Sequence, residues 1–416
     1  TVLSGGVGMV LVSWTMTVFA LLRLRWGPSL ILTAGVSAFA LRLLLKEDEP
    51  REIPSPRVPG EGPDRSGAIT RIAYAFTALS LLAAFAATVS GRSTSPDLLF
   101  FWGPKAQQFA SARTIDADFL GAPFLEYLHV YYPPLVTNVW ALGAMIAGRF
   151  PWGASMLTFP LLLAATAIGL AGILKTASGP APAAATTALA TSALTLAGIR
   201  TSVAGNAESS LFFFEVLAMA ILMTPVSATT GGQVLAGLFL AGVATAKVEG
   251  LPFVLATGIL FVVVDRRRSR PFARTLLLLF GPAIAALGSW FAFGEIRHLF
   301  RGYRGYGEVL AVRWENLGMI AAAVGAALGK AGYALPWLVP LAVWLVTGPK
   351  SRRVLLPIGA AILLAGFLVF TYLTTAAAPE LLISWSAARV FTPLAALLAL
   401  ATHLPNSRAV GAALRS

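Results

Sequence analysis

Runs of about 20 apolar residues recur from Gly6 to the far end of the chain, and that feature decides the fold class. A run of this length crosses the hydrocarbon core of a bilayer as one helix. In lipid every backbone N–H and C=O must pair within the protein, so only helices or a closed barrel can cross, and the alternating pattern of a transmembrane barrel is missing. The chain is therefore expected to be an all-α polytopic membrane protein. Composition agrees: 57% of the 416 residues are hydrophobic, 12% are charged and the mean hydropathy is +0.77, whereas soluble domains carry roughly 25% charge.

Candidate spans fall at 6–22, 28–45, 68–90, 134–148, 156–174, 183–199, 209–223, 234–247 and 251–264, and within 275–293, 317–346, 354–373 and 385–403, giving 12 or 13 crossings. Lys330 and Pro336 interrupt 317–346, where a short amphipathic helix followed by one span fits. The first 25 residues lack an early basic region and a small-residue cleavage site, so the first span is expected to stay. Residues 46–67, KEDEPREIPSPRVPGEGPDRSG, are polar and rich in proline and read as a flexible loop. No other stretch resembles a linker and no soluble segment is large enough to fold alone, so 1–416 is expected to be a single transmembrane domain.

The net charge of +13 invites a nucleic-acid reading, but its location argues otherwise. Arg266, Arg267, Arg268, Arg270 and Arg274 crowd one short loop, and Lys350, Arg352 and Arg353 another. Basic clusters beside spans are what the positive-inside rule produces, with contact to lipid headgroups as the second reading and no nucleic acid as partner. Cysteine is absent, which excludes disulfides and thiolate chemistry, and three scattered histidines speak against a zinc site. With the Arg266 loop in the cytoplasm, alternation of sides puts KVEG from Lys247, RTSVAGNAES from Arg200, the loop containing Tyr303, Tyr306 and Trp314, and the turn before SWSAAR all on the other face. Asp97 joins them only if one segment between Tyr132 and Ile199 is not an ordinary crossing, and 134–148, the shortest, is the suspect. Arg23 and Arg25 then also fall outside, against the rule.

Polar residues in such a chain need a reason. Loop 91–132 is about 40 residues, long enough to be locally folded or functional. Within SPDLLFFWGPKAQQFA, Gly103 and Pro104 start a short helix over 105–113 with Ala106, Phe109 and Ala110 on one face, and Phe100, Phe101 and Trp102 read as membrane-surface aromatics. Asp97 is either an acid set against a helix dipole or a carboxylate able to take a proton from a hydroxyl delivered from water. In EYLHVYYPPLV, Tyr131 and Tyr132 precede two prolines and form an extended entry. Lys247 and Glu249 form either a turn ion pair or a ligand site. Arg389 shares a helix face with Trp385, and a cation within a span usually faces a cavity or an anion, such as a lipid phosphate.

In this order, D…W.PKA after an early span, YPPLV opening the next, a later K.EG and SW…R near the end, these motifs resemble those of the GT-C membrane glycosyltransferases, in the branch of protein O-mannosyltransferases and aminoarabinose transferases. The resemblance covers most of the chain after Ala68. It implies a GT-C-like fold with short interfacial helices in the first large external loop, and an integral protein of the bacterial inner membrane whose active site faces the periplasm or exterior. It further implies inverting transfer of a sugar from a polyprenyl-phosphate donor to a lipid, glycan or protein acceptor of unknown identity. Asp97 matches the family's catalytic base. The departing phosphate needs a cation, for which Arg389, then Lys247, then Lys105 are the candidates. Glu208, with Glu249, matches a second acid that would orient the acceptor. Trp102, Tyr131, Tyr132 and Trp385 are candidate sugar or lipid contacts. The motifs specify no cofactor, and a divalent cation stays open, with Asp97, Asp116, Asp118 and Glu208 as the oxygen donors in view.

Two other classes compete. A transporter or flippase of a polar lipid would carry paired halves and ionisable groups near mid-membrane, whereas here they sit mostly at span ends. A non-catalytic envelope subunit would need no acid at the lipid surface.

Overall fold

Alanine, leucine and glycine dominate the apolar runs, and with no water to take up free backbone groups these runs close their hydrogen bonds within helices. The computed structural model describes residues 2–46, 63–264, 272–300, 312–330, 338, 340, 342, 352–374 and 379–403. The long helices are α1 (Val2–Leu21), α2 (Pro28–Lys46), α3 (Pro63–Val89), α7 (Trp152–Ser178), α8 (Pro180–Thr201), α12 (Phe272–Ile296) and α14 (Leu355–Thr374). Shorter ones are α4 (Gly103–Ala112), α5 (Ala117–Leu120), α6 (Leu135–Ala147), α9 (Glu208–Met223), α10 (Thr230–Ala246), α11 (Gly250–Val264), α13 (Leu317–Lys330), α15 (Pro379–Val390) and α16 (Thr392–Ala401). Among the described residues no strand occurs, and six helices are long and apolar enough to cross a membrane: α1, Gly67–Val89 of α3, α7, α8, α12 and α14. This is an integral membrane protein.

Two expectations change, at 63–67 and at 385–403. Residues 63–67 belong to α3 rather than to the preceding loop. The expected span 385–403 is broken at Phe391 into α15 and α16, with Pro393 in the first turn of α16, where its missing N–H costs nothing. Within 317–346, α13 ends at Lys330, and most of 331–346 lies outside the described residues, as do 47–62, Arg266 to Arg270, and Tyr303 and Tyr306.

The short segment 134–148, the suspect for the odd parity, lies at one end of the bundle. α6 has 13 residues and rises only about 20 Å, too little to cross. Its flanks meet at neighbouring residues, for Tyr132 stacks on Trp102 at 5.7 Å between centroids and the Trp152 ring abuts Gly103. α6 therefore leaves and re-enters at one end of the bundle, held by Asn138, whose Nδ2 donates to Ser13 O at 3.1 Å. At the same end Trp26 N donates to Arg113 O, which also places Arg23 and Arg25 near that rim.

At the centre lies α9, all sixteen of whose residues are buried against α7, α10, α11, α14 and α16. Small residues let these helices close up, as van der Waals contact requires where lipid offers no hydrophobic drive. A Cβ on Gly242 of α10 would collide with the Phe214 ring of α9, whereas one on Gly172 of α7 would meet open space. Gly242→Leu is expected to lower the thermal unfolding temperature in detergent, by overpacking worth about 1–3 kcal/mol. Gly172→Leu should leave it unchanged, and equal melting of the two variants would refute this account of the α9–α10 contact.

Candidate active site

Four connections deliver charged groups to the rim where α6 turns back. The segment after α3 is pinned by a short parallel bridge: Ser95 N donates to Ala204 O at 2.7 Å and Ala204 N to Ser93 O at 2.8 Å. Gly205 makes this approach possible, because it holds φ +82° with the Leu98 side chain 2.8 Å from where a Cβ would stand. Asp97, fixed by that bridge, begins a π-helical turn, Leu98–Trp102, that runs into α4.

Asp97 stands at the N-cap of that turn, but its side chain makes no capping hydrogen bond. Its Oδ2 instead accepts from Asn206 Nδ2 at 2.6 Å and from Arg389 Nη1 at 3.0 Å, leaving Oδ1 to receive a proton. Arg389 Nε lies 2.7 Å from Glu208 Oε1, the same oxygen that accepts from Lys247 Nζ at 3.0 Å. Lys247 Nζ also pairs with Glu249 Oε1 at 2.9 Å, and the Tyr132 hydroxyl donates to that oxygen at 3.3 Å. Asp97, Arg389, Glu208, Lys247, Glu249 and Tyr132, spread over 292 residues of sequence, thus form one chain of contacts. Side-chain exposure grades along it, from 1% at Glu208 to 18% at Arg389 and 22% at Asp97.

Electrostatics follow this burial. Burial alone would lower the Lys247 ammonium, but Glu208 and Glu249 outweigh it and hold the group above its ordinary value. Lys105 is different. It is buried with no acid partner among the described residues, its Nζ 4.5 Å from the centre of the Trp102 ring and 5.7 Å from that of Phe101. Burial brings its pKa down to about 7. His129, in left-handed conformation at φ +49°, stacks on Tyr132 and meets the Tyr131 hydroxyl at 3.0 Å. Burial first, then Lys105 and Lys247, lowers its pKa.

Trp102 is a correction. Expected at the membrane surface, it is fully buried, with its ring stacked on Tyr132 and close to Lys105 Nζ, and its Nε1 donating to Asn206 Oδ1 at 3.2 Å. Tyr131 is held by Trp290 of α12, whose Nε1 donates to its carbonyl at 3.3 Å. The Trp385 side chain lies outside the described residues. Asp116 caps α5 and accepts from Gln108, and among the described residues no group of three or more His, Cys, Asp or Glu is arranged to hold a metal ion. Sequence reasoning missed Asn206, which joins Asp97 to Trp102 and is signalled only by its place in GNAESS. Glu215, in the second turn of the wholly buried α9, was not singled out either.

The arrangement of helices is similar to that of ArnT from Cupriavidus metallidurans, solved bound to undecaprenyl phosphate, with 17% identity and a TM-score of 0.52 over 83% of this chain and 62% of that one. The fold is GT-C-like. That bears out the architecture implied by the motifs, while the chain spans less than two thirds of the length of the structure it resembles. No protein-family model and no curated protein matches the chain.

Glu208 depends on both of its cations, since removing one partner of a buried pair leaves charge uncompensated. Arg389→Met is expected to cost about 3–5 kcal/mol of stability. Adding Glu208→Gln should restore part of that loss, with a coupling of about 0.5–3 kcal/mol in thermal unfolding, and strict additivity would show that the pair is not coupled.

Proposed function

We propose that the protein is an inverting glycosyltransferase that moves a sugar from a polyprenyl phosphate to an acceptor hydroxyl at the membrane surface. The observation that carries this reading is the direct contact of Asp97 with Arg389 at the head of a buried acid–base chain, in a fold similar to that of a protein solved with undecaprenyl phosphate. Inverting transfer needs a base for the acceptor proton and positive charge for the departing phosphate, and here the two stand 3.0 Å apart. The acceptor oxygen forms its bond to the sugar C1 as the C1–O bond to phosphate breaks. The hydroxyl proton passes to Asp97 Oδ1, and the bonding electrons leave on the phosphate.

Charge balance guides the assignment of the cations. Asp97, Glu208 and Glu249 face Arg389 and Lys247, three negative charges against two positive, so neither cation is free in this state. Lys105, last in the ranking from sequence, has no acid to satisfy and becomes the first candidate for the phosphate, with Arg389 bridging base and leaving group. Glu208 and Glu249 orient Arg389 and Lys247. Tyr131 and Tyr132 flank the Lys105 side of the site as sugar or lipid contacts. Loop 91–132, carrying the base, then lies outside the membrane. The arginine ends support that orientation: Arg353 donates to Thr224 O and Arg274 to Thr230 Oγ1, at the end of α9 opposite Glu208.

Asp97→Asn keeps the shape and removes the base. Transfer from a polyprenyl-phosphate sugar should fall by about 10²–10⁴-fold with donor binding retained, and full turnover by this variant would remove Asp97 as base. Donor affinity should also follow Lys105. Its ammonium is the form that binds phosphate, so it is charged below a pKa of about 7 and neutral above it. Affinity should therefore decline as pH rises through about 7 in a binding titration. Lys105→Arg, charged throughout, should flatten that decline, and Lys105→Met should bind weakly below pH about 7 and converge with the wild type above it, whereas a wild-type profile in Lys105→Met would exclude this contact.

A further inference from the structure

Below the acid–base chain three carboxylate oxygens are left over. Glu208 Oε2, Glu249 Oε2 and Glu215 Oε2 are all buried, and none meets a hydrogen-bond donor among the described residues. The three residues and Lys247 line one cavity of about 10 Å³, room for about one water, whose remaining wall is apolar, with Leu364 and Leu368 from α14 and Pro393 from α16. Glu208 and Glu215 share a face of α9, seven residues and about 10 Å apart. Glu215 is 1% exposed and has no ion-pair partner among the described residues.

An ionised carboxylate only accepts hydrogen bonds, and one water has two protons to give, so three ionised carboxylates around this cavity would leave at least one leftover oxygen unsatisfied. Lys247 cannot resolve this alone, because its contacts fall on Oε1 of Glu208 and of Glu249. An ionised Glu215 would also raise the excess negative charge of the cluster from one to two, in the part of the molecule least able to solvate it. A proton on Glu215 removes both problems, since it cancels the extra charge and turns the only unpaired acid of the cluster into a donor.

We propose that Glu215 is a neutral carboxylic acid that donates, through a water held in this cavity, to the leftover oxygens of Glu208 and Glu249. Glu215 is then a positioning residue. It fixes the plane of the Glu208 carboxylate, which holds Arg389, which in turn holds the base Asp97. This consequence rests on the glycosyl-transfer reading, whereas the proton itself does not.

The test is infrared spectroscopy on the full chain purified in detergent, together with a transfer assay. The wild type should show the carbonyl stretch of a protonated carboxylic acid, sensitive to D₂O and persisting above neutral pH, and Glu215→Gln should lose that band. Glu215→Gln, which keeps an N–H donor, should retain most of the turnover. Glu215→Leu, melting as the wild type does, should lose about tenfold or more in kcat, the equivalent of one hydrogen bond to a charged group, with little change in KM for the donor. A band unaltered by Glu215→Gln would overturn the proposal, as would sodium- or divalent-cation-dependent loss of the band, which would mark the cavity as a cation site. Full turnover by a well-folded Glu215→Leu would overturn the positioning role. A wild type with the band but no transfer would refute the glycosyl-transfer reading and leave the proton in place.

Discussion

A carboxylate as deeply buried as that of Glu208 has to be met by positive charge, and meeting it decides where four separate pieces of chain end. Arg389 reaches it from α15 and Lys247 from the turn between α10 and α11, while Asp97 reaches Arg389 from the loop after α3. None of these groups is adjacent in sequence. Each would be costly in its place without the others, because desolvation of a lone charge exceeds what any single hydrogen bond returns. The polar chain therefore acts as a register mark for a bundle whose apolar surfaces, rich in alanine and leucine, distinguish poorly between one sliding position and the next.

On the proposed glycosyl-transfer reading, the same chain sets the conditions for chemistry. In this state its cations are occupied by carboxylates, and a phosphate can enter only by sharing them or by using Lys105. An aromatic box around Lys105 lets the amine remain buried near neutrality, so an arriving anion would find a group that gains a proton on binding rather than one already committed to an acid. Donors and charges held in place before the substrate arrives need no reorganisation as the leaving phosphate takes up its charge.

Much of this was legible in the chain itself. Apolar runs gave the class, alternation of sides gathered the polar clusters at one face, and the odd parity singled out 134–148, which turns back at the rim as α6. Gly103 and Pro104 marked the start of α4, with Ala106 and Phe109 on its buried face. What failed did so for physical reasons. A tryptophan beside two phenylalanines has the composition of a membrane-surface belt whether it faces lipid or, like Trp102, is buried with its ring stacked on a tyrosine thirty residues further on. Asn206 matters only through partners about 110 residues away. α9 is buried on every side and so has no polar face to give its depth away, which hid Glu215 among neighbours of equal hydrophobicity.

α9 also carries charge of opposite sign at its two ends. Its backbone dipole is unscreened, because no side of the helix meets water. At its N-terminus stands Glu208, the sign the dipole favours, and just past its C-terminus Arg353 donates to the Thr224 carbonyl, again the favoured sign. Reversing either would set a charge against the helix as well as against low dielectric. The central helix is thus polarised along its length, and the proposed orientation, with Arg274 and Arg353 in the cytoplasm and Asp97 and Glu208 outside, aligns that polarity with the rule that governs how basic loops are retained during insertion. Insertion and active-site electrostatics then make the same demand on α9. Turning it over would lose both.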